Sequence, residues 1–181
     1  MTDPSLVRTA STCDLDPRTH AAIRSLLDAA FAGDFSDDDW AHALGGTHAI
    51  LSGPDGVIAH AAVVPRTLEV GPLRLEVGYV EAVAVRPDRQ RTGLGTAVMQ
   101  AANAVIAGRY PLGVLSTGEW HFYERCGWER WRGLTWVRFP DGGRLRTPDD
   151  DDSLMVLRTP SSPPIDLAWD LACGTRPGDV W

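Results

Sequence analysis

The segment from Arg86 to Gly95 brings together residue types that bind phosphate groups. Three arginines fall within its first six residues, and Gly93 and Gly95 follow them. An apolar run precedes the segment and a helical pattern begins at Gly93, so its backbone N–H groups should lie at a helix N-terminus, where the dipole favours an anion. Glycine costs about 1 kcal/mol against alanine inside a helix, a penalty that suits backbone approaching a ligand closely. The segment predicts an anion-binding turn.

Other phosphate motifs fit this segment less well. The sequence has no GxxxxGK[ST] pattern, which excludes a P-loop, and it lacks the third glycine and the downstream acid of a dinucleotide fingerprint. The alternative interpretation is an ordinary glycine-containing turn between strand and helix, with solvated arginines. A GxG pattern by itself does not decide between the two.

One carboxyl group stands in an apolar run. Glu81 is the only charge in Val77–Val85, and alternation places it on one face with Tyr79, Val83 and Val85. Burial beside apolar neighbours disfavours a carboxylate and would make Glu81 a stronger base. The alternative is that Glu81 lies at a solvated bulge.

A phenol and the cysteines complete the candidates. Tyr123 has an ordinary pKa of about 10 and could protonate a leaving group, although beside Phe122 on a helix it could equally belong to the core. The three cysteines form no ligand pair, and Cys126 is interpreted as a buried small hydrophobe rather than a nucleophile. The five histidines show no ligand spacing, so we predict no metal. Lysine is absent, which excludes Schiff-base chemistry.

Length and charge bound the class of protein. The 181 residues suit one α/β domain spanning 1–181. A net charge of −7 disfavours nucleic acid as a partner, although all 17 basic residues are arginine. No apolar run is long enough for a membrane span, and the N-terminus does not resemble a signal peptide, so we expect a cytoplasmic protein without membrane association.

The hydrophobic periodicity predicts alternating helices and strands. Asp16-Pro17 should begin a helix that ends at Gly33, and Ser36 should cap a shorter helix that ends at Gly45. A hairpin is predicted at Gly53–Gly56, a turn at Gly71-Pro72, and a proline-rich tail from Pro160. The remaining predicted elements are strands at His48–Ser52, Val57–Val64, Thr67–Val70, Leu73–Val85, Leu112–Ser116, Thr135–Val137 and Leu154–Leu157, and helices at Gly93–Gly108 and His121–Cys126.

Two segments resemble the signatures of one superfamily. Gln90-Arg-Thr-Gly-Leu-Gly95 resembles the [QR]-x-x-G-x-[GA] motif of the GNAT N-acetyltransferases, and Phe122–Trp128 resembles their later FYxxxGF segment at the expected distance. The resemblance implies a mixed, mostly antiparallel sheet flanked by helices, with splayed fourth and fifth strands. It also implies acetyl-CoA as co-substrate, with the pantetheine arm in that gap and the pyrophosphate on the turn. The implied cofactor-binding residues are Val83, Ala84, Val85, Gln90, Arg91, Thr92, Gly93, Leu94 and Gly95.

A narrower similarity covers nearly the whole chain. The segments that carry it, all similar to those of the aminoglycoside 2'-N-acetyltransferases, are Phe31–Phe35, Asp39-Trp40, Tyr79–Val85, Arg146–Asp151 and Gly178–Trp181. One departure is the stretch from Ser116 to Tyr123, which is short and carries Trp120 where the family has a longer serine- and arginine-rich segment.

This second resemblance implies the reaction and its residues. Glu81 would be the general base, acting through water, and Tyr123 the general acid, in a direct transfer within a ternary complex. A homodimer and a part in antibiotic resistance, or a side activity of that kind, are implied as well. Because aminoglycosides are polycations, carboxylates should line the acceptor site. The implied substrate-binding residues are Asp34, Glu81, Ala82, Ser116, Asp149, Asp150, Asp179 and Trp181.

Each acidic segment also has an ordinary explanation, and two other functions stay open. Asp37–Asp39 could be helix-end charges, and Asp149–Asp152 could be a solvated loop. A GNAT enzyme that acts on a peptide N-terminus or another small amine is the first alternative function. The second is a non-catalytic protein that binds acetyl-CoA or the drug.

Overall fold

Residues 7–181 are described by the structure, a computed structural model, and they divide into two units. The first unit comprises residues 7–64 and 80–105, and the second comprises residues 65–79 and 106–181. Two long strands, β3 (Gly56–Val70) and β4 (Leu73–Val85), contribute residues to both units.

The helices that begin the first unit are held at their N-termini as predicted. In front of α1 (Pro17–Ala30), the Asp16 carboxylate accepts hydrogen bonds from two backbone N–H groups at 2.9 Å each. At α2 (Asp37–His42), Ser36 and Asp39 exchange side-chain and backbone hydrogen bonds in a capping box. Both predicted starts are confirmed.

The strands of the first unit form an antiparallel group. β1 (Val7–Ser11), which was not predicted, pairs with β2 (Thr47–Gly53), and β2 pairs with the first part of β3. Gly53 lies opposite Gly56, which confirms the hairpin. The core of this unit packs Ile23, Leu26 and Leu27 of α1 against residues of the strands. Helix α3 (Leu94–Arg109), which belongs to this unit up to Val105, begins directly after the predicted anion-binding turn.

β3 joins two strands that the sequence analysis kept separate. The stretches Val57–Val64 and Thr67–Val70 belong to one strand that runs through Pro65. Its residues up to Val63 pair with β2, whereas Leu68 to Val70 pair with a different strand. Pro65 lies between these two registers, a position at which a strand tolerates proline.

The second unit contains a mixed sheet. β4 pairs in parallel with β5 (Leu112–Ser116) at only two positions, Gly78 with Gly113 and Tyr79 with Val114. So short a pairing agrees with the splayed fourth and fifth strands that the resemblance implies. β5 continues into an antiparallel pairing with β9 (Leu154–Arg158), which also pairs with β6 (Glu129–Arg130).

A strand in the proline-rich tail extends this sheet. β10 (Leu171–Gly174) pairs antiparallel with the end of β3 and parallel with β7 (Thr135–Arg138). β7 pairs in turn with β8 (Arg144–Arg146). Two parallel pairings thus stand among antiparallel ones, and the predicted α/β class with a mixed, mostly antiparallel sheet is confirmed.

Some predicted helix ends were wrong. α3 runs through Gly108 to Arg109, because a glycine weakens a helix without ending it. The next helix, α4, spans Trp120–Glu124 rather than His121–Cys126. No helix among residues 7–181 is long and apolar enough to cross a membrane.

Candidate active site

The turn before α3 exposes its backbone as an anion site requires. After a single 3-10 turn at Pro87–Arg89, residues 90–93 are exposed, and the chain becomes buried again at Leu94. Arg91 and Gly93 both have positive φ, 59° and 89°, and open space surrounds the position that a Cβ of Gly93 would take. Thr92 Oγ1 donates to the Arg89 carbonyl at 2.6 Å, which steadies the loop. The turn therefore exposes its backbone directly in front of the N–H groups that begin α3.

The three arginines of the turn are not equivalent. Arg86 forms two hydrogen bonds to the Asp88 carboxylate, at 2.6 and 3.1 Å, and this pairing lowers the pKa of Asp88. Arg89 Nε lies 3.8 Å from the same carboxylate. Within residues 7–181, Arg91 has no hydrogen-bond or ion-pair partner, so it is the cation of the turn that remains available to a ligand.

Glu81 is half-buried and precedes an irregular residue. Ala82 has a φ of 53°, a left-handed conformation that costs roughly 1–2 kcal/mol for a residue with a Cβ. The predicted shared face of Glu81 with Val83 and Val85 assumed a regular strand, and this strand is not regular at Ala82. The Ala82 carbonyl accepts a hydrogen bond from His60 Nδ1 at 2.8 Å. His60 had been regarded as one of five scattered histidines.

The acids near α2 serve different purposes. Asp37 forms an ion pair with Arg24 at 2.9 Å, and Asp39 completes the capping box, so these two are helix-end charges. Asp34, the predicted substrate contact, is exposed in the turn after α1. The structure thus leaves Asp34 accessible in the first unit.

In the second unit, Tyr123 lies on α4 with only 9% of its surface exposed. Its ring packs edge-to-face against Phe122 and Trp128, and its hydroxyl shares a hydrogen bond with Thr117. Burial raises its pKa well above the ordinary value of 10. Cys126, expected to be buried, is half-buried, and burial raises the pKa of its thiol. A raised pKa suppresses the thiolate, as expected of a cysteine that is not a nucleophile.

The structure brings Ser116 to the acidic loop of the second unit. Ser116 Oγ donates to Ser153 Oγ at 2.9 Å, and Ser153 Oγ donates to the Asp150 carbonyl at 2.9 Å. Burial is the largest cause of a raised pKa at the Asp150 carboxyl, and the charges of Asp179 and Asp149 raise it further. Asp149 and Asp179 therefore lie close enough to influence the Asp150 carboxyl group, and Ser116 is linked to the Asp150 backbone through Ser153.

The C-terminal segment is anchored beside the same loop. The Trp181 side chain is buried, and its Nε1 donates to Thr147 Oγ1 at 3.0 Å. Thr147 in turn hydrogen-bonds the Asp150 carboxyl group. Trp181 and Asp150, which stand 31 residues apart in the sequence, thus share one neighbour.

Arg66 is a second anchor of this segment, and sequence reasoning missed it. Its Nη2 donates to the Val180 carbonyl at 2.8 Å, across 114 residues of sequence, and its guanidinium lies 4.4 Å from the centroid of the Tyr79 ring. Cys173 Sγ also donates to the Val180 carbonyl at 3.3 Å, and Arg176 Nε donates to the Asp179 carbonyl at 2.6 Å. Apart from the residue type, the sequence carries no signal that Arg66 anchors the C-terminal segment.

One acid of the Asp149–Asp152 run is structural. The Asp151 carboxylate is paired with both terminal nitrogens of Arg146, at 2.9 and 2.6 Å, and it accepts two hydrogen bonds from Thr135. These contacts, led by the Arg146 hydrogen bond, lower its pKa to about 2. Asp151 therefore fixes the loop that carries Asp150.

These groups offer acids, bases and hydrogen-bonding partners. The part of the chain that the structure describes has no group of three or more histidine, cysteine, aspartate or glutamate side chains that could hold a metal ion. An exposed helix N-terminus with one available arginine suits a pyrophosphate. A half-buried carboxylate and a buried phenol suit proton transfer and hydrogen bonding.

Comparison with known proteins agrees with this chemistry. A family model described as an acetyltransferase (GNAT) domain matches residues 14–131. An aminoglycoside 2'-N-acetyltransferase of Mycolicibacterium fortuitum is 46% identical over 178 residues, which cover 96% of this chain and 91% of that protein.

Solved structures share the fold at lower identity. A GNAT family N-acetyltransferase of Escherichia coli, crystallised with CoA, is 19% identical with a TM-score of 0.60, covering 96% of this chain and 93% of that chain. A GNAT family acetyltransferase of Brucella melitensis, crystallised with acetyl-CoA, is 20% identical with a TM-score of 0.59, covering 92% and 94%. The chain therefore belongs to the GNAT acetyltransferases, within the family of the aminoglycoside 2'-N-acetyltransferases.

Proposed function

We propose that this protein transfers the acetyl group of acetyl-CoA to the 2'-amino group of aminoglycoside antibiotics, directly within a ternary complex. The observation that carries the proposal is 46% identity, over 96% of the chain, to an enzyme named for that reaction. The acidic loop and the anchored C-terminal segment of the second unit give a chemical reason for a polycationic acceptor.

The first unit provides the binding groups for acetyl-CoA. The N–H groups at the start of α3 and the Arg91 guanidinium, which has no partner among residues 7–181, suit the pyrophosphate, since the helix dipole and the cation both favour an anion. The backbone of Val83, Ala84 and Val85 is proposed to pair with the pantetheine arm, as the family resemblance implies. Gln90 to Gly95 complete the proposed cofactor site.

The reaction joins the amine nitrogen to the thioester carbonyl carbon and breaks the carbon–sulfur bond. The amine must lose one proton, and we assign its removal to Glu81 through a water molecule. The sulfur departs with the bonding electron pair and takes up one proton. The sequence has no lysine, and burial raises the pKa of the Cys126 and Cys173 thiols, which favours direct transfer over an acyl-enzyme.

Tyr123 assists the departing sulfur chiefly as a hydrogen-bond donor. A thiol has a pKa of about 8.5, so a phenol whose pKa stands above 10 transfers its proton to a thiolate only at a free-energy cost. The raised pKa also keeps the phenol protonated through neutral pH, so the donor is always present. The proton that finally resides on the sulfur can come from solvent.

The second unit provides groups for the polycationic acceptor. We propose that Asp149, Asp150 and Asp179 bind ammonium groups, that Ser116 binds a hydroxyl, and that Trp181 supplies an apolar surface for a sugar ring. The first unit adds Asp34, Glu81 and Ala82. Mutual repulsion among the acids, which helps to raise the pKa of Asp150, would be relieved by a bound polycation.

A thiol-release assay tests the proposal directly. Purified protein, acetyl-CoA and an aminoglycoside with a 2'-amino group should release free CoA thiol and give a singly acetylated product. A matched aminoglycoside with a 2'-hydroxyl group should release little thiol, because it lacks the reacting nitrogen. Equal rates with both compounds would show that the site of acetylation is assigned wrongly.

The same assay separates the two alternatives. A non-catalytic binder would retain acetyl-CoA or the drug and release no thiol with any amine. A GNAT enzyme for peptide N-termini or another small amine would release thiol with those amines and not with the aminoglycoside.

Location and assembly complete the proposal. We expect the enzyme to work in the cytoplasm, where acetyl-CoA is available, and to form the homodimer that the family resemblance implies. Sedimentation equilibrium on the purified chain of 19.6 kDa distinguishes a dimer from a monomer.

A further inference from the structure

Three side chains of the first unit form a continuous hydrogen-bond chain that ends at the Ala82 carbonyl. Thr12 Oγ1 lies 2.8 Å from His48 Nε2, and His48 Nδ1 lies 2.9 Å from His60 Nε2. His60 Nδ1 completes the chain at 2.8 Å from the Ala82 oxygen. Neither imidazole has exposed surface. Every ring nitrogen of this buried pair therefore has a partner, as buried polar groups require.

The chemistry of the last acceptor fixes the direction of the chain. A carbonyl can only accept, so His60 Nδ1 must carry a proton. Burial disfavours a charged imidazole, which leaves His60 Nε2 as an acceptor. His48 Nδ1 must then donate to it, and His48 Nε2 must accept from the Thr12 hydroxyl. Both histidines are neutral and both carry their proton on Nδ1.

The far end of the chain is held by backbone. Thr12 Oγ1 accepts hydrogen bonds from the N–H groups of Gly45 (2.9 Å) and Gly46 (3.2 Å). These contacts leave the single hydroxyl proton free to point at His48, which is nearer than the Gly46 carbonyl at 3.3 Å. The hydrogen-bond chain therefore runs from the loop after α2 to β4, and each side chain in it donates towards Ala82.

The residue at the end of the chain is the irregular one in β4. Ala82 adopts a left-handed φ of 53°, although it is not a glycine. Because a trans peptide is planar, holding the Ala82 carbonyl towards His60 directs the Val83 N–H to the opposite side. Glu81 precedes the held residue directly. The hydrogen bond therefore fixes the peptide that follows Ala82, and the left-handed φ of Ala82 relates that peptide to Glu81.

We propose that Thr12, His48 and His60 are positioning residues for acetyl transfer, which set the direction of Glu81 and of the Val83 N–H by holding the Ala82 peptide. The assignment rests on the proposed function, since Glu81 is the proposed base. Apolar side chains could fill the same volume without losing the solvation of two imidazoles. A directional polar chain is needed only if the position of the Ala82 carbonyl matters.

Thr12, at the start of the hydrogen-bond chain, allows the proposal to be tested with substitutions of similar shape. Thr12→Val keeps the shape and removes the hydroxyl proton, whereas Thr12→Ser keeps the proton. A small displacement of a catalytic group can lower a rate by up to about 100-fold, and for Thr12→Val, which acts through two imidazoles, we expect kcat lower by about 10-fold. Thr12→Ser should stay within about two-fold of the wild type. The KM for acetyl-CoA should rise with Thr12→Val and not with Thr12→Ser, because the Val83 N–H belongs to the proposed cofactor site. Equal kcat values in the two variants would overturn the proposal.

The histidine nearest to Ala82 gives a stronger version of the test. His60→Asn retains an N–H donor at the position of Nδ1, whereas His60→Leu fills the volume without a donor. We expect kcat to be largely retained in the first variant and lost in the second. If His60→Leu does not fold, the threonine pair still decides, because Thr12→Val keeps the volume and Thr12→Ser removes only one methyl group from a half-buried residue.

Nuclear magnetic resonance separates this inference from the proposed function. In the protein without substrates, the 15N shifts of His48 and His60 should show a protonated Nδ1 and an unprotonated Nε2 in both rings. The Val83 amide resonance should move in Thr12→Val and stay in Thr12→Ser. A protonated Nε2 on His60, or an unmoved Val83 amide, would overturn the inference whatever the acceptor is. A wild-type enzyme without aminoglycoside turnover would overturn the proposed function alone.

Discussion

The two units hold their functional groups by opposite means. In the first unit, two neutral imidazoles without solvent exposure hold one backbone carbonyl next to Glu81. In the second unit, carboxylates that remain partly exposed lie around the anchored Trp181, and their mutual charge helps to raise the pKa of Asp150. A neutral, buried network fixes the position of a backbone group, whereas an exposed cluster of carboxylates attracts and selects a positively charged ligand.

This difference fits the two tasks of a transferase. Proton removal needs a base at a defined position, which a short-range network of hydrogen bonds can set and salt does not screen. Recognition of a polycation needs charge that water and salt can reach, so its strength should fall with ionic strength. Changes to the buried network beside Glu81 should therefore lower kcat, and changes to the acidic loop should raise the KM for the acceptor.

The largest expected effect is at Glu81. Glu81→Gln keeps the shape and removes the proton acceptor, and general-base catalysis of this kind contributes about 100- to 10,000-fold. We expect kcat to fall by about 1,000-fold at neutral pH, and to recover partly at higher pH, where more of the amine is already unprotonated. Steady-state kinetics from pH 6 to 9 measure both effects.

The control lies on the same strand. Glu76→Gln removes the same charge from an exposed position of β4 and should leave the kinetic constants unchanged. A Glu81→Gln enzyme with a normal rate and pH profile would remove Glu81 as the base.

Removal of Asp179–Trp181 tests the second unit. The truncation deletes one carboxylate and the indole that is anchored on Thr147. Because a hydrogen bond to a charged group is worth about 1.5–3 kcal/mol and 1.4 kcal/mol is tenfold, we expect kcat/KM for the aminoglycoside to fall by about 100-fold. The KM for acetyl-CoA should not change, since its proposed site lies in the first unit. Unchanged acceptor kinetics would contradict the substrate assignment.

Acid should loosen the first unit before the second. The pKa of His48 is lowered from 6.5 to about 4, and that of His60 to about 3, chiefly by burial. The unfolded chain therefore binds more protons as the pH falls below 6.5, and stability is lost as the pH drops towards 4. At pH 5 the loss is about 2 kcal/mol for each histidine. The charge of His20 is a second, smaller cause that lowers the pKa of His48.

The second unit has other pH windows. Asp151, with its pKa lowered to about 2, contributes stability that is lost only as the pH falls from 3.8 towards 2. Burial raises the pKa of Tyr123, Tyr110 and Cys173, so their contribution is lost at alkaline pH instead. Hydrogen exchange at pH 7 and pH 5, corrected for intrinsic rates, should show β2 losing protection before β5. The control is His121→Gln, which removes a histidine whose side chain is 73% exposed and should leave this order of protection loss unchanged. Simultaneous loss in both units would contradict the assigned windows.

The sequence predicted the features that neighbouring residues determine. The Asp16 and Ser36 caps, the hairpin at Gly53–Gly56 and the exposed turn before α3 all depend on contacts within a few residues. The apolar run around Glu81 singled out that carboxyl group locally, whereas the C-terminal segment has no local signal and was found only through the family motifs.

Features that depend on distant contacts could not be predicted. An alanine gives no indication of a left-handed conformation, because the stabilising His60 stands 22 residues earlier. β10 lacks alternation, and its place comes from pairing with β3 and β7. The contact between Arg66 and the Val180 carbonyl spans 114 residues, a distance at which no sequence pattern operates.

The smallest expected effect, at Asp150, makes the comparison between the units quantitative. Asp150→Asn removes one charge from the acidic loop, and Asp152→Asn removes the same charge two residues further along, at an exposed position outside the proposed site. We expect the first variant to raise the KM for the aminoglycoside about 5- to 10-fold at low salt, in line with about 1 kcal/mol for a partly exposed charge. The difference between the variants should shrink at 0.5 M salt, because the Debye length falls to a few ångströms. An effect at Asp150 that salt does not alter would mean that this carboxyl acts through local structure, as the histidines of the first unit do.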